Sequence, residues 1–396
     1  MVSNPETPGN AELATEPVSA RPFTIDVIDN IADTRAAWVE LSAVATTSPY
    51  QSCLFLSTWF DTVGREERLE AFIIVARDAT GSPRALLPFA IDTRGPLRIA
   101  MFLGGRESNF NLALLRSGCR FDEKSIRALL RDAARRAANP PDVYYLRNQP
   151  RRFEGIENPL AFAGAMPSAS FAYGVALPAT EAELAARLSK ESRKKLRKKE
   201  ARLAEMGELR YEHRQTGPRA QEILNALIDQ KSARFADMGV GGVFDGVGMR
   251  EMLRRLSVET GEGSLELHAL SVDGRIVATY AGLTRGGRFS ALLNSFDMDE
   301  EVARCSPGDL LLHALMRDLV ARGMTYFDLG AGEARYKNAV CDETIELCDT
   351  VTPASWKGVV AAPLLVIFLR AKRRIKQTPA LARVFSRLRR LLRGRR

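Results

Sequence analysis

Two polar side chains near the end of the sequence have the types that transfer of an acyl group to an amine requires. Asp328 interrupts the apolar segment Tyr326-Phe327-Asp328-Leu329-Gly330, and Lys337 follows Tyr336 in the next segment. A carboxylate can accept the proton of an amine or orient a cation, and a fixed cation can polarise an acyl carbonyl or hold a phosphate or carboxylate. A strand-end aspartate that caps a turn and a solvated lysine are the structural alternatives. We take Asp328, Lys337 and Tyr336 as candidate catalytic residues.

A predicted helix start could hold the anionic part of a donor molecule. The segment Arg304-Cys305-Ser306-Pro307-Gly308-Asp309 places Pro at the first helical position and Gly at the turn. Unpaired backbone N–H groups and the helix dipole at such a start favour negative charge. The candidate donor-binding residues are Ser306, Gly308, Asp309 and Leu310. An ordinary helix start without a ligand is the alternative.

Two pairs of basic residues are candidates for binding an acceptor or a phosphate. Lys231 and Arg234 are one turn apart on a predicted helix and share a face. Arg193 and Arg197 lie in the basic segment 190–202, which contains no aromatic residue for base stacking. Lys231 and Arg234 suit a phosphate-bearing or acidic-sugar ligand, with a solvated helix face as the alternative. The segment 190–202 is a candidate phosphate-binding helix.

Other chemistries find little support in the sequence. The five cysteines are scattered and form no CxxC pair, and no GxSxG segment is present. His213 and His268 lack HExxH-like spacing, and His313 is interpreted as a partly buried structural histidine. We therefore predict direct transfer with no metal, no covalent intermediate and no permanent cofactor. The glycine-rich segment 239–248 fits neither GxGxxG nor the P-loop and is interpreted as a mobile loop.

The elements that must position these residues follow an order that occurs twice, at a spacing of about 185 residues. Each half is predicted to contain a strand, helices, an antiparallel meander, a further helix and a further strand. The meanders are predicted at 69–115 and 265–296, with 110–115 as a strand of the first one. A single helix over 181–206 opens the second half. These patterns predict an α/β (α+β) protein.

The predicted domain limits follow from composition as well as periodicity. We expect a disordered leader at 1–21, domains at 22–178 and 179–355, and an apolar segment with a basic amphipathic tail at 356–396. Residues 370–396 contain twelve Lys or Arg and no acidic residue, so the net charge of +9 arises in this tail. The apolar run 359–369 is too short to cross a bilayer. The tail can lie on an anionic membrane surface, contact nucleic acid, or pack on the body.

The order and spacing of short motifs resemble the cellulose-biosynthesis-associated (CelD-like, BioF2-like) acetyltransferases. These are similar to tandem GNAT proteins related to Fem-type aminoacyltransferases. The motifs that carry the resemblance lie between Ser48 and Asp349: Ser48-Pro49-Tyr50-Gln51-Ser52, Trp59, Leu87-Pro88-Phe89, Leu103-Gly104-Gly105, Asn109-Phe110, Ser189-Lys190 with Arg193 and Leu196-Arg197, Lys231 with Arg234-Phe235, Ser306-Pro307-Gly308, Phe327-Asp328-Leu329-Gly330 and Tyr336-Lys337.

This resemblance implies two tandem GNAT-like domains, each with a mixed, mostly antiparallel sheet flanked by helices. It implies an acyl-CoA or similar donor and an amine or hydroxyl acceptor on a sugar or cell-envelope precursor. The scattered cysteines indicate a reducing cytoplasm, and the basic tail adds the inner face of the membrane as a location. The usual Gln/Arg-x-x-Gly-x-Gly/Ala pyrophosphate loop of GNAT enzymes is replaced by residues 304–309. Two alternatives therefore stay open: an aminoacyl-tRNA-dependent transferase, and a non-catalytic protein that binds an anionic membrane or an assembly complex.

Overall fold

The computed structural model describes residues 23–119, 121–239, 244, 246–332, 337 and 340–377. The predicted leader 1–21, half of the glycine-rich segment 239–248, Tyr336 and the end of the basic tail lie outside the described residues. In the described part, two mixed sheets are flanked by helices.

The strands, in chain order, are β1 (Thr24–Ile28), β2 (Glu70–Arg77), β3 (Pro83–Asp92), β4 (Ile99–Phe102), β5 (Leu114–Leu115), β6 (Val143–Pro150), β7 (Arg152–Phe153), β8 (Ile156–Glu157), β9 (Met166–Pro167), β10 (Ala172–Ala176), β11 (Leu209–Glu212), β12 (Glu266–Val272), β13 (Arg275–Arg285), β14 (Arg288–Phe296), β15 (Tyr326–Ala331), β16 (Glu343–Ile345) and β17 (Leu347–Pro353). The α-helices are α1 (Arg35–Ser42), α2 (Cys53–Trp59), α3 (Glu123–Arg136), α4 (Glu181–Ala186), α5 (Lys190–Ala204), α6 (Gly217–Asp237), α7 (Val247–Val258), α8 (Glu300–Arg304), α9 (Pro307–Ala321) and α10 (Trp356–Gln377).

Each sheet contains a meander followed by one parallel pair, which is the duplication that the sequence predicts. The first sheet has the order β1-β2-β3-β4-β6-β17-β9, with β5 also pairing with β3, and the second has the order β11-β12-β13-β14-β15-β10-β16. β4 and β6 pair in parallel, and so do β14 and β15. A parallel pair requires a crossover connection. This connection contains α3 in the first half and α9 in the second half.

The two sheets exchange strands near their ends. β10 precedes the second half in sequence, yet it pairs antiparallel with β15 in the second sheet. β17 follows the second half, yet it pairs antiparallel with β6 in the first sheet. Each sheet thus contains strands from both of the predicted domains, 22–178 and 179–355.

One continuous hydrophobic core joins the halves. Buried side chains of α1 and α2, including Trp38 and Phe55, belong to the same cluster as Leu227 of α6 and Leu256 of α7. Polar contacts cross the same boundary, because the Glu66 carboxylate accepts hydrogen bonds from the first backbone N–H groups of α7. This packing fixes the first half against the strands that carry the candidate catalytic residues.

Two sequence predictions need correction. The segment predicted as one helix over 181–206 is two helices, because Ser189 has an extended backbone and caps α5 through its hydroxyl, which accepts from the Ser192 N–H. The predicted strand 110–115 is reduced to Leu114–Leu115. The side chains of Phe110 and Leu112 are nevertheless buried, which explains the apolar pattern without a strand.

Candidate active site

The second sheet divides between β14 and β15. These strands pair in parallel only where residues 288–290 lie beside residues 326–328, and beyond this point each strand continues without the other. The register between β13 and β14 also shifts between Ala281 and Gly282, which indicates a bulge. A cleft of about 310 Å³ opens at the division. A larger cavity of about 680 Å³ lies in the first half and contains none of the predicted site residues.

Asn109, from the first half, bridges the divided strands. Its Nδ2 donates to the backbone carbonyl of Ala291 in β14 at 2.7 Å, and its Oδ1 accepts from the backbone N–H of Ala331 in β15 at 3.0 Å. The Tyr50 hydroxyl donates to the same Ala291 carbonyl at 2.6 Å. Divergence of the strands leaves backbone groups without sheet partners, and these two side chains supply partners. The first half is therefore part of the candidate site.

Among the described residues, three cationic side chains line the cleft: Lys231 and Arg234 from α6, and Lys337. Lys337 is 6% exposed, and its Nζ donates to the carbonyls of Gly330 and Ala331 at 2.9 and 3.3 Å. Lys231 donates to the Asn294 carbonyl at 3.0 Å. No acidic side chain is among the described residues that line the cleft. The arrangement favours a ligand or transition state that carries negative charge.

Burial lowers the pKa of both lysines. Desolvation, followed by repulsion from Arg234, lowers the pKa of Lys231 to about 8. Desolvation also lowers the pKa of Lys337 to about 8, with a smaller contribution from Lys231 and an opposing one from Cys341. Both side chains are mostly cationic at neutral pH and lose the charge in mildly alkaline solution.

Asp328 is completely buried beside the point of division. One carboxylate oxygen accepts from Arg288 at 2.7 Å and the other accepts from the Ser290 hydroxyl at 2.6 Å. Burial raises the pKa of Asp328, while Arg288 and Ser290 act in the opposite direction. The Arg288 guanidinium also lies over the Tyr326 ring at 3.9 Å. Of the two roles predicted for Asp328, this geometry favours orienting an arginine over accepting a proton.

The predicted donor-binding residues lie at the start of α9. Ser306 has a left-handed backbone with φ of 51°, and its side chain forms no cap hydrogen bond. Asp309 forms an ion pair with Lys199 at 3.1 Å. Leu310 lines a second cavity of about 430 Å³, together with Arg193 and Arg197 of α5.

The predicted acceptor set is therefore divided. Lys231 and Arg234 line the cleft with Lys337, while Arg193 and Arg197 line the cavity beside α9. The buried side chains of α6 belong to the hydrophobic cluster on one face of the second sheet. The buried side chains of α9 belong to the hydrophobic cluster on the opposite face. Tyr336 lies outside the described residues.

Sequence reasoning did not assign Asn109, Tyr50, Arg288 or Ser290 to the site. The signal for Asn109 and Tyr50 was present, since both lie in the short motifs that carry the family resemblance. Their contacts cross 182 and 241 residues of sequence, so no local pattern indicates them. Arg288 and Ser290 lie in the strand beside Asp328, and only the parallel register brings them to its carboxylate.

The last described helix, α10, exposes an apolar face. Six large side chains along it are between 62 and 76% exposed: Trp356, Val359, Val360, Leu364, Ile367 and Phe368. Exposed basic residues follow at Arg370, Lys372 and Arg374. Within the described chain, α10 included, no helix has the length and apolar character needed to cross a membrane.

A family comparison agrees with the geometry of the second half. Residues 190–338 match the family model described as an acetyltransferase (GNAT) domain. The matched segment includes α5, α6, the divided strands β14 and β15, and Lys337. This match confirms the predicted GNAT fold and the predicted GNAT-type acyltransferase class, without identifying a substrate. No curated protein sequence matches the chain.

Solved structures with the same fold extend over both halves. FemX has a TM-score of 0.54 at 10% identity, and the alignment covers 83% of this chain and 97% of that one. A conserved protein of unknown function from Bacteroides thetaiotaomicron has a TM-score of 0.52 at 15% identity, covering 82% of this chain and 99% of that one. At these identities the likeness establishes the fold alone.

Proposed function

From the acetyltransferase (GNAT) domain at residues 190–338 as a premise, we propose that the chain transfers an acyl group from acyl-CoA to an amine or hydroxyl of a sugar or cell-envelope precursor. The single observation that carries this proposal is the cleft between β14 and β15, where Lys337, Lys231 and Arg234 converge without a lining acidic side chain among the described residues.

The reaction is a direct transfer. The lone pair of the acceptor nitrogen or oxygen attacks the thioester carbonyl carbon, and negative charge develops on the carbonyl oxygen. The carbon–sulfur bond then breaks, the thiolate leaves with the electron pair, and the proton lost by the acceptor balances the proton gained by the thiolate. A cation held close to the carbonyl oxygen lowers the barrier because it stabilises the negative charge that develops on this oxygen in the transition state.

Lys337 is the best candidate for that cation. Two backbone carbonyls fix its ammonium group, so the charge needs little reorganisation during the reaction. Asp328 and Arg288 are proposed as positioning residues, because their ion pair holds β14 beside β15 immediately before the strands diverge. Asn109 is proposed to hold the divergence at a fixed width.

The acceptor is proposed to carry a phosphate or carboxylate. Lys231 and Arg234 provide two positive charges at one side of the cleft, and Arg234 also lies over the Phe296 ring at 5.2 Å. The donor's anionic part is proposed to lie against the start of α9, with Arg193 and Arg197 in the adjoining cavity. Nucleotide-linked sugars and uronic acids meet the acceptor requirement.

We further propose that the chain works at an anionic membrane surface. The apolar face of α10 is exposed along more than three turns and is followed by basic residues, which is the pattern of a helix that lies in the headgroup region. Phosphate groups of the lipid would attract the basic residues while the apolar side chains leave water. An envelope precursor linked to lipid would meet the enzyme there.

A ligand screen tests the proposed donor and acceptor. Melting temperatures are measured with coenzyme A, acetyl-CoA, a long-chain acyl-CoA and a panel of nucleotide sugars, because a ligand that binds only the native state raises the melting temperature. We expect acyl-CoA to raise it in the wild type. No shift with any coenzyme A derivative at millimolar concentration would contradict an acyl-CoA donor and would leave the aminoacyl-tRNA-dependent and non-catalytic alternatives.

A further inference from the structure

Three potential metal ligands from three separate elements meet on the second half, outside the cleft. They are His213, which follows β11, His268 in β12, and Asp318 in α9. One ligand atom from each lies within 4.8 Å of the other two. The two histidine Nδ1 atoms are 3.2 Å apart, within hydrogen-bond distance of each other. We name this group the two-histidine cluster.

His268 has an unusual environment for an imidazole. It is fully buried, and its Nε2 has no hydrogen-bond partner. The nearest carboxylate oxygen, Oε2 of Glu266, is 3.6 Å away, just beyond hydrogen-bond distance. A buried polar atom without a partner is costly, so this nitrogen calls for an explanation.

A metal ion on the Nδ1 side fits the surroundings of both nitrogens of His268. Metal-bound imidazoles almost always direct the other ring N–H to a carboxylate or carbonyl, and Glu266 lies in that direction from Nε2. Two nitrogens 3.2 Å apart that each bind zinc at about 2.0–2.1 Å subtend an angle of about 100°, close to tetrahedral. The Nδ1 pair thus has the spacing of two ligands of one ion.

Asp318 supplies the negative charge that such a site needs. Its side chain is 17% exposed, and its Oδ2 is 3.3 Å from Nη1 of Arg322. Arg322 is also paired with both Glu266 oxygens, at 2.8 and 2.9 Å, so its charge is shared between two carboxylates. A dication that approaches Asp318 therefore meets Arg322 as a paired guanidinium. Arg317 and Arg214 also act on His213, each less strongly than the Asp318 carboxylate.

We propose that the two-histidine cluster binds a divalent transition-metal ion of the zinc class. The ligands are Nδ1 of His213, Nδ1 of His268 and the carboxylate of Asp318, with a fourth position for water. The ion would tie β11, β12 and α9 together on the face of the sheet that α9 covers. Sequence spacing gives no sign of such a site, because its ligands are 50 or more residues apart. The inference is independent of the proposed acyl transfer.

Zinc and cobalt binding to the full chain test this inference. The purified protein is stripped with a chelator, and zinc affinity is measured by competition with a chromophoric chelator, with the cobalt absorption spectrum as a report of coordination geometry. We expect one ion per chain, a tetrahedral cobalt spectrum, and a higher melting temperature with zinc. His213→Gln and Asp318→Asn should each weaken zinc binding by about tenfold or more.

His313→Gln is the matched control, because this half-buried histidine lies on α9 but lines the cavity beside it instead of the cluster. It should bind zinc as the wild type does. The inference is overturned if the wild type binds no zinc, or if His313→Gln loses as much affinity as His213→Gln. Circular dichroism of each variant establishes that it is folded, and His213 is the safer position because it is only half-buried.

Discussion

The Oδ1 atom of Asn109 accepts a hydrogen bond from the backbone N–H of Ala331 at 3.0 Å, and this bond joins the first half of the chain to the end of β15. The same side chain donates to β14, so one amide spans the divided sheet. The cleft therefore depends on a residue that is more than 200 positions away from Ala331 in sequence.

Asn109→Ala should weaken both stability and turnover. The substitution leaves the Ala331 N–H without this partner, for which we expect a loss of about 1–3 kcal/mol in the free energy of unfolding. Urea unfolding measures it, and Asn139→Ala at an exposed position is the matched control. Equal unfolding free energies for the two variants would exclude a bridging role for Asn109.

Activity should decline above about pH 8. Burial lowers the pKa of Lys337 to about 8, so the proposed cation is lost as the pH rises through this value. Lys337→Arg keeps a charge at all these pH values and should flatten the alkaline limb of kcat/KM, while Lys337→Met should lower kcat by about 100–1000-fold. An alkaline limb that is identical in Lys337→Arg would assign the decline to another group.

Stability should rise over part of the same alkaline range. The pKa of Lys231 and that of Lys337 are about 8 in the folded chain and near 10.5 when unfolded, so the unfolded chain binds more protons between these values. The free energy of unfolding contributed by these groups therefore increases from pH 8 to pH 10.5. In Lys231→Met the increase should be smaller, as measured by urea unfolding at each pH; an unchanged profile would contradict the burial of this charge.

The Arg288–Asp328 pair should show strong coupling. Arg288→Met leaves the buried Asp328 without its cation and should cost about 3–5 kcal/mol, whereas the double variant Arg288→Met/Asp328→Leu should recover much of the loss. Thermal unfolding of the two single variants and the double variant measures the coupling energy. Additive losses would contradict a direct ion pair.

Gly330→Ala should disrupt the end of β15. Gly330 has φ of +80°, and an added Cβ would lie 2.5 Å from Nδ2 of Asn109. Backbone strain and the collision should together cost more than about 1 kcal/mol. Gly81→Ala provides a control for the backbone term alone, since it has φ of +82° and open space around a Cβ. Equal destabilisation of the two variants would show that the contact with Asn109 is unimportant.

Vesicle binding should depend on the apolar face of α10. Ile367→Glu and Phe368→Glu should each weaken binding to vesicles that contain phosphatidylglycerol by about tenfold or more, because each removes a large apolar side chain from the proposed contact. Val258→Glu is the control, since Val258 is 63% exposed on another helix. Binding that is unchanged in the two α10 variants would remove this helix from the membrane contact.

The sequence predicted the meanders and the crossover helices well, because alternating and helical apolar patterns persist wherever one face is buried. It could not predict that β10 and β17 exchange sheets, since pairing partners are not encoded in local periodicity. Asp328 and Lys337, the residues it singled out, lie within the segment that matches the acetyltransferase (GNAT) domain. The sequence did not predict that Arg288 and Ser290 donate hydrogen bonds to the Asp328 carboxylate, because this contact depends on the register of a parallel strand pair.

Release of coenzyme A thiol from acyl-CoA, measured with a thiol reagent against a panel of hexosamines, uronic acids and nucleotide sugars, tests the central claim most directly. We predict acceptor-dependent thiol release by the wild type and its loss in folded Lys337→Met. Thiol release that is equal in the two proteins, or absent from the wild type with every donor and acceptor, would contradict transfer in the cleft between β14 and β15.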